Sequence, residues 1–215
     1  MTLPSGAPPA LAQVAQRYAD SSRGVVGFQI HRVFDVHGGF SHRSEVLVMD
    51  GIYDDGALVR VHVVKYTING KPASTSDVAG IEQSWNHPKP DEVFAAPFDP
   101  RNFDAYVYRS AASSAIGFTS AVHDAGHGSG SFTYDAQGNV VSYTFTPNAL
   151  PPHASSGVIV DHRAEVLPGY WASTQETQQY RGSYGPFAAA GSIEVTYSDF
   201  HRFTDLQSAL RSLTG

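Results

Sequence analysis

Residues 130–146 read GSFTYDAQGNVVSYTFT, and this stretch contains the pattern that decides the fold. Two short runs of aromatic and β-branched residues flank the polar segment 135–139, in which Gly138 and Asn139 tolerate the positive φ angle of a tight turn. From Val141 to Thr146 apolar and hydroxyl side chains alternate, which is the period of a strand with one buried face. The stretch therefore predicts a β-hairpin with one dry face and one wet face.

The same pattern continues on both sides of this hairpin and predicts a mainly β chain. Asp55 and Gly56 lie between two early strands and supply the backbone freedom that a hairpin turn needs. The predicted strands are residues 25–36, 44–52, 58–68, 105–109, 116–122, 130–134, 140–146, 157–166, 171–180 and 191–200.

Three short helices complete the predicted elements. They are residues 10–19 after a Pro-Pro pair, residues 76–85 capped by Ser76, and residues 204–213 capped by Thr204 or Asp205. So few helices cannot cover a long flat sheet with one apolar face, and such a sheet must curl. We predict an α+β fold in one domain spanning 1–215: a curved antiparallel sheet or unclosed β-barrel with N-terminal, middle and C-terminal helices.

Two of the predicted strands carry many polar residues. In residues 157–166 the alternation places His162 on the dry face and Asp161 and Arg163 on the wet face. These residues favour surface ion pairs beside a core histidine over an acid/base set. Residues 173–179 are polar on both faces, which is typical of an edge strand or a wet rim.

Composition excludes several classes of protein. Of 215 residues 41% are hydrophobic and 16% charged, which is too apolar for general disorder, and no apolar run reaches the roughly 20 residues of a membrane-spanning helix. A net charge of −6 argues against a nucleic-acid partner. The absence of cysteine removes disulfides and thiolate chemistry. The opening residues lack both the basic and the apolar part of a signal peptide, so either the protein stays in the cytoplasm or its exported form needs a leader.

The order of the elements resembles the bacterial lipoprotein-carrier fold of LolA, LolB and related sorting proteins. The residues that carry the resemblance are 25–29 (VVGFQ) after the first helix, 131–138 (SFTYDAQG) and 196–200 (TYSDF) before the last helix. The resemblance implies an unclosed antiparallel barrel that binds acyl chains of a lipid or lipoprotein in a periplasm or cell envelope, where a further envelope protein is an expected partner. It assigns no functional residue of the family to a position in this chain.

Candidate chemistry is sparse. His123, Asp124 and His127 have the ligand types of a transition-metal site, but they lie in a Gly-rich turn and favour a solvated loop. No Gly-x-Ser-x-Gly motif surrounds any serine pair, and the turn at residues 128–130 has no nucleotide-binding fingerprint. We therefore predict neither a cofactor nor a catalytic residue.

The leading hypothesis is a non-enzymatic carrier of a lipid-like or other apolar ligand, with the Pro- and aromatic-rich insertion 71–101 as a lid. Aromatic residues at alternating strand positions and in this insertion would form either a filled core or the wall of an apolar pocket. The predicted ligand-binding residues are Phe28, Trp85, Phe94, Phe98, Phe118, Phe132, Tyr143, Phe145 and Tyr197. Two alternatives stay open: a hydrolase or metal-dependent enzyme that uses the His-rich loops, and a structural or protein-interaction module that pairs through the edge strand at 173–179.

Overall fold

The computed structural model describes residues 2–39, 41–184 and 187–213. In these residues helices α1, α2 and α3 span Ala10–Ser21, Thr75–Asn86 and Leu206–Ser212, and two 3₁₀ helices span Pro90–Glu92 and Pro100–Ala105. The strands are Val25–Gly38 (β1), Ser41–Asp54 (β2), Ala57–Ile68 (β3), Lys71–Pro72 (β4), Val107–Ala112 (β5), Ala115–Thr119 (β6), Gly128–Tyr134 (β7), Val140–Pro147 (β8), Ala154–Leu167 (β9), Tyr170–Tyr184 (β10) and Phe187–Arg202 (β11).

The strands of the described residues form a single antiparallel sheet in the order β4-β3-β2-β1-β11-β10-β9-β8-β7-β6-β5. Every neighbouring pair except β1 and β11 is consecutive in sequence. The sheet is thus two meanders joined where β1 meets β11, and it is unclosed because β4 and β5 are its edges. This confirms the predicted mainly β fold with helices near both ends and in the middle.

Local signals located most elements correctly. Leu11, Val14 and Ala15 form the fully buried stripe of α1, as their helical spacing predicts. The predicted hairpin turns are present, with φ angles of +47° at Asp55, +77° at Gly56 and +87° at Gly138. These left-handed conformations are accessible to glycine and to short polar residues, which is why the turns were visible in the sequence.

Many element boundaries differ from prediction by a few residues. Two of these differences have a clear cause in hydrogen bonding. The N-cap of α2 is Ser74, not Ser76, because Ser74 and Asp77 form a reciprocal capping box. The strand predicted at 105–109 begins only at Val107, since Asp99 caps a 3₁₀ helix that occupies the residues before it. Asp205 caps α3, as predicted.

Strand β10 is an interior strand, so the prediction of an edge at residues 173–179 is wrong. It is hydrogen-bonded to β11 on one side and to β9 on the other. Its polar composition reflects side-chain surroundings: Glu176 and Gln178 lie on a half-buried part of the sheet, while Gln175 and Gln179 are exposed. The polar composition of this strand therefore indicates that its side chains contact solvent. It does not indicate whether the strand has one or two hydrogen-bonded neighbours.

Strand β9 has its two faces reversed relative to prediction. Asp161 lies opposite Tyr143 of β8, and Ile159 lies opposite Phe145, so these β9 residues share a face with the aromatic core. Asp161 is 0% exposed whereas His162 is exposed, which overturns the prediction of a core histidine and a surface aspartate. The register with β8 fixes the faces of β9, because the large aromatic side chains of β8 must be buried.

No helix in the described part of the chain has the length and apolar character needed to cross a membrane.

Candidate ligand-binding face

The sheet face that carries Asp161, called the inner face below, bears two large apolar clusters near its two ends. The first cluster gathers buried residues of α1, the segment after α2 and strands β5 to β8: Leu11, Val14, Ala15, Ala96, Phe98, Phe103, Tyr106, Tyr108, Ile116, Phe118, Phe132, Val140, Tyr143 and Phe145. The second cluster gathers buried residues of β1, β2, β3 and β11: Phe28, Ile30, Leu47, Met49, Val61, Val63, Tyr66 and Val195. A smaller group of Val26, Tyr170 and Ala172 lies apart from both.

The predicted ligand-binding residues divide between these clusters and do not converge on one site. The first cluster contains Phe98, Phe118, Phe132, Tyr143 and Phe145, and Phe94 packs against it. The second takes Phe28, with Trp85 and Tyr197 packed against it. Trp85, Phe94 and Tyr197 are half-buried and the other six are buried.

Segment 94–98, part of the predicted lid, closes the first cluster. Phe94 stacks on Tyr143 with ring centroids 5.1 Å apart. The hydroxyls of Tyr106 and Tyr108 donate to backbone carbonyls of the same segment at 2.6 and 2.7 Å. These tyrosine hydroxyls satisfy the carbonyls of an irregular segment that has no regular secondary structure to do so.

Helix α2 closes the second cluster and also covers the exposed ladder of β3. Its apolar residues against the cluster are Val78, Ile81 and Trp85. The Asn86 side chain accepts from the Val61 amide at 2.7 Å and donates to the Val61 carbonyl at 3.0 Å. Glu82 accepts from the Val63 amide at 3.0 Å. Because β4 is only two residues long, these side chains take the place of a neighbouring strand.

Between the two clusters the inner face has a half-buried, amphipathic region on β1, β11 and β10. We call it the open strip, and it consists of Arg32, Phe34, Glu176, Gln178, Tyr180 and Ile193. The register shows that these side chains share a face, since Phe34 pairs with Ile193 and Ile193 pairs with Gln178. All six are half-buried, unlike the buried residues of the clusters.

The polar members of the open strip form a hydrogen-bonded row. The Tyr180 hydroxyl donates to Gln178 at 2.8 Å, and the Gln178 amide donates to Glu176 at 2.6 Å. Burial raises the pKa of Glu176, an effect that Gln178 and the Arg32 guanidinium oppose. Burial lowers the pKa of Arg32, whose guanidinium lies 5.5 Å from the centre of the Phe34 ring.

Asp161 and Arg163 continue this row toward the first cluster. Burial raises the pKa of Asp161 to about 7, with Arg163 acting in the opposite direction. In the described residues neither carboxylate oxygen of Asp161 has a hydrogen-bond partner. Arg163 donates to the Trp171 carbonyl at 3.0 Å and lies 5.5 Å from the centre of the Tyr18 ring. The middle of the inner face therefore carries ionisable groups at low exposure.

The predicted metal candidates His123, Asp124 and His127 do not form a three-ligand group. Asp124 accepts from the His127 backbone amide at 2.8 Å, and His127 Nδ1 lies 2.8 Å from Asp124 Oδ1. His123 is exposed and belongs to no such group among the described residues. The pair stabilises its own turn, which agrees with the loop interpretation.

A different cluster, Asp35, His37 and His42, brings three ligand atoms within 4.8 Å of one another. Sequence analysis missed it, although a signal was present. The two histidines flank a short segment that begins with Gly38 and Gly39, which is a turn signal, and Asp35 precedes the first histidine by two residues. Reading that turn would have placed all three side chains on one face.

Comparison by sequence identifies no relative. No protein family matches this chain, and no curated protein matches it.

Comparison by structure finds solved proteins that are similar to this chain over most of its length. A LolA superfamily protein from Nitrosomonas europaea has a TM-score of 0.43 at 8% identity, covering 93% of this chain and 96% of its own. An outer membrane lipoprotein-sorting protein domain from Vibrio parahaemolyticus has a TM-score of 0.37 at 10% identity, covering 95% and 98%. A structure of lipid–protein interactions in lipovitellin has a TM-score of 0.43 at 8% identity over 86% of this chain, which spans only 26% of lipovitellin.

Proposed function

We propose that this chain is a non-enzymatic binding protein that holds a lipid-like or other apolar ligand on the inner face, with the open strip as the contact surface. The observation that supports this most directly is an amphipathic surface left half-buried between two filled apolar clusters. Phe34 and Ile193 lie side by side on neighbouring strands and offer apolar area to an acyl chain. Covering such area is favourable by about 25 cal/mol per Å².

The polar row gives the strip a means of orienting its ligand. Apolar sites in proteins typically contain a few polar groups that fix the ligand's direction. Arg32 suits a carboxylate or phosphate head group, because its planar guanidinium stays charged and donates two parallel hydrogen bonds. Gln178 and Tyr180 provide neutral donors and acceptors beside it. The proposed ligand is therefore amphipathic, with its head at Arg32 and its chain on Phe34 and Ile193.

The remaining predicted residues have a supporting role in this proposal. The buried aromatics hold the sheet and its coverings in place, while Trp85, Phe94 and Tyr197 are half-buried and would meet a ligand that extends beyond the strip. Insertion 71–101 supplies the coverings on both sides of the strip. It would act as a lid by shifting α2 or segment 94–98 toward the ligand.

Location and partners belong to the same proposal. The resemblance of the sequence to lipoprotein carriers favours the cell envelope, a lipoprotein as cargo and an envelope protein as partner. Fractionation of cells that make the natural precursor, followed by crosslinking in the envelope fraction, tests both points. Recovery of the chain only with the cytosol would contradict them.

Binding can be measured with a fatty acid that carries an environment-sensitive dansyl group, added to the delipidated chain. We expect saturable binding with increased emission. Replacing Phe34 and Ile193 together by serine removes apolar contact area worth roughly 1–3 kcal/mol per side chain, so the affinity should fall at least about tenfold.

The matched control replaces Val64 and Val107 together by serine. Both valines are exposed, at 54% and 74%, and each follows or precedes an inner-face residue and so lies on the opposite face. This variant should bind the probe as well as the unaltered chain. An unaltered chain that fails to bind, or equal losses in both variants at unchanged melting temperature, would overturn the proposed function.

Neither alternative has comparable support. A metal-dependent hydrolase using His123, Asp124 and His127 lacks the required convergence of ligands. Pairing through residues 173–179 lacks a free edge, because β10 already has two partner strands.

A further inference from the structure

The hairpin that joins β1 and β2 carries a compact set of metal-ligand side chains. His37 and His42 are direct cross-strand partners in the antiparallel register. Their imidazole rings are parallel to within 3°, with centroids 4.2 Å apart. Because the backbone pairing holds both side chains on one face, the two rings present their Nε2 atoms to the same region of space.

Asp35 completes the set. It precedes His37 by two residues on β1, so its side chain lies on the same face. One carboxylate oxygen lies 2.5 Å from His37 Nε2, and the other lies 2.8 Å from His42 Nε2. Two imidazole nitrogens and one carboxylate thus converge, with their ligand atoms within 4.8 Å of one another.

These donors have the right chemical character for a borderline transition metal. Imidazole nitrogen and carboxylate oxygen suit Zn²⁺ and its first-row neighbours, at metal–ligand distances of about 2.0–2.2 Å. Around a tetrahedral ion of that size, ligand atoms lie about 3.3–3.6 Å apart. Small rotations of the exposed imidazoles would widen the present contacts to those separations without moving the backbone.

The backbone beneath the site is well defined. β1 is hydrogen-bonded along its length to β2 on one side and to β11 on the other. Gly39 adopts a φ of +58° that permits the tight turn, and the Phe187 ring lies against it. Three ligands on paired strands of a continuous sheet are held more precisely than ligands on a loop.

The site also opens onto a groove, which leaves space for an additional ligand. Asp35 and His37 form one wall of a cavity of about 540 Å³, and Ser156, Gln179 and Arg181 contribute to its lining. Gly157 and Gly191 also contribute to its lining. Three protein ligands with an open fourth position are the usual arrangement of a metal site that binds a small molecule or water.

We infer that Asp35, His37 and His42 bind one divalent transition-metal ion of the zinc class, with an exchangeable fourth ligand from the groove. This site lies on the opposite face of the sheet from the open strip, since Asp35 is one position out of phase with Phe34. A metal ion bound here would therefore not contact a ligand on the open strip. A metal here would crosslink the two strands of the hairpin and stabilise the adjacent part of the sheet.

Titration of the metal-free chain with Co²⁺ and Zn²⁺ tests the inference. We expect one Co²⁺ per chain with the visible absorption of a four-coordinate site, displacement of Co²⁺ by Zn²⁺, and a higher melting temperature with Zn²⁺. The variants His37→Ala, His42→Ala and Asp35→Asn should each lower the affinity roughly tenfold or more, since each removes one of three ligands.

Controls separate this site from other histidines. His127→Ala and His62→Ala each disrupt a histidine–carboxylate pair elsewhere in the chain, so both should leave the Co²⁺ titration unchanged. All five substitutions avoid burying a new group, and melting curves recorded without metal would establish that each variant is folded before its titration is compared. Absence of stoichiometric binding, or equal losses in site and control variants, would show that the three residues form only an ion-pair cluster.

Discussion

The ring of Phe28 lies over Gly51, its direct cross-strand partner, and a Cβ atom at position 51 would stand 2.6 Å from the Phe28 Cζ atom. Glycine is thus required on the inner face to let this ring stack on Tyr53 at 4.2 Å. We predict that Gly51→Ala lowers the free energy of unfolding by roughly 1–3 kcal/mol, because the ring must leave its place in the second cluster. Urea denaturation measures the change.

The companion variant is Gly80→Ala in α2. A Cβ atom there would meet no atom within 4 Å, and the residue is in a helix interior. This substitution should raise the free energy of unfolding by about 0.5–1 kcal/mol, because alanine loses less conformational freedom than glycine. If both variants shift stability in the same direction, the steric role of Gly51 is wrong.

Asp161 should make the chain less stable as the pH rises. The folded state keeps its proton up to about pH 7, while the unfolded carboxyl releases it near its ordinary pKa of 3.8. The contribution of this group to the free energy of unfolding therefore falls by on the order of 4 kcal/mol between about pH 4 and pH 7. Above about pH 7 it stays at the lower value.

Asp161→Asn tests this, because the amide cannot ionise. It should stabilise the chain at pH 8 by roughly 2–4 kcal/mol and change little at pH 4. Asp199→Asn is the control, since Asp199 is exposed and its φ of +55° is equally accessible to asparagine. If the difference in free energy of unfolding between Asp161→Asn and the unaltered chain does not grow from pH 4 to pH 8, the pKa of Asp161 is not raised by burial.

The capping box of α2 predicts that Ser74 and Ser76 contribute unequally to the stability of the chain. Ser74→Ala removes the acceptor for the Asp77 amide and should cost about 1 kcal/mol of stability. Ser76→Ala should cost only a few tenths of a kcal/mol, since the Ser76 hydroxyl lies 2.9 Å from the Ser74 hydroxyl and caps no backbone amide in the described residues. Thermal melting of both variants shows which substitution costs more stability. A larger loss for Ser76→Ala than for Ser74→Ala would indicate that Ser76 is the cap.

Arg32 should recognise the charge of the ligand's head group. We expect Arg32→Gln to weaken binding of a dansyl fatty acid several-fold and to leave binding of the corresponding fatty alcohol unchanged, because only the acid offers a carboxylate to the guanidinium. Competition assays with unlabelled acid and alcohol give the two affinities. Equal losses for both ligands would assign Arg32 a packing role.

Local sequence patterns were sufficient to predict most elements and the class of fold. Turn residues such as Asp55, Gly56 and Gly138 require special backbone conformations, and those requirements are local. The stripe of Leu11, Val14 and Ala15 likewise predicted the buried side of α1 from spacing alone. Periodicity and turn chemistry act over a few residues, so they can be interpreted without the rest of the chain.

Tertiary structure alone decided which strands are neighbours and which faces they bury. The pairing of β1 with β11 joins residues far apart in sequence. The pairing of β10 with both β9 and β11 makes the polar strand at 173–179 an interior strand. The register between β8 and β9 placed Asp161 inside and His162 outside. A one-residue shift of register exchanges the two faces of a strand, and that register is set by the burial of partner side chains such as Tyr143 and Phe145, which local sequence does not encode.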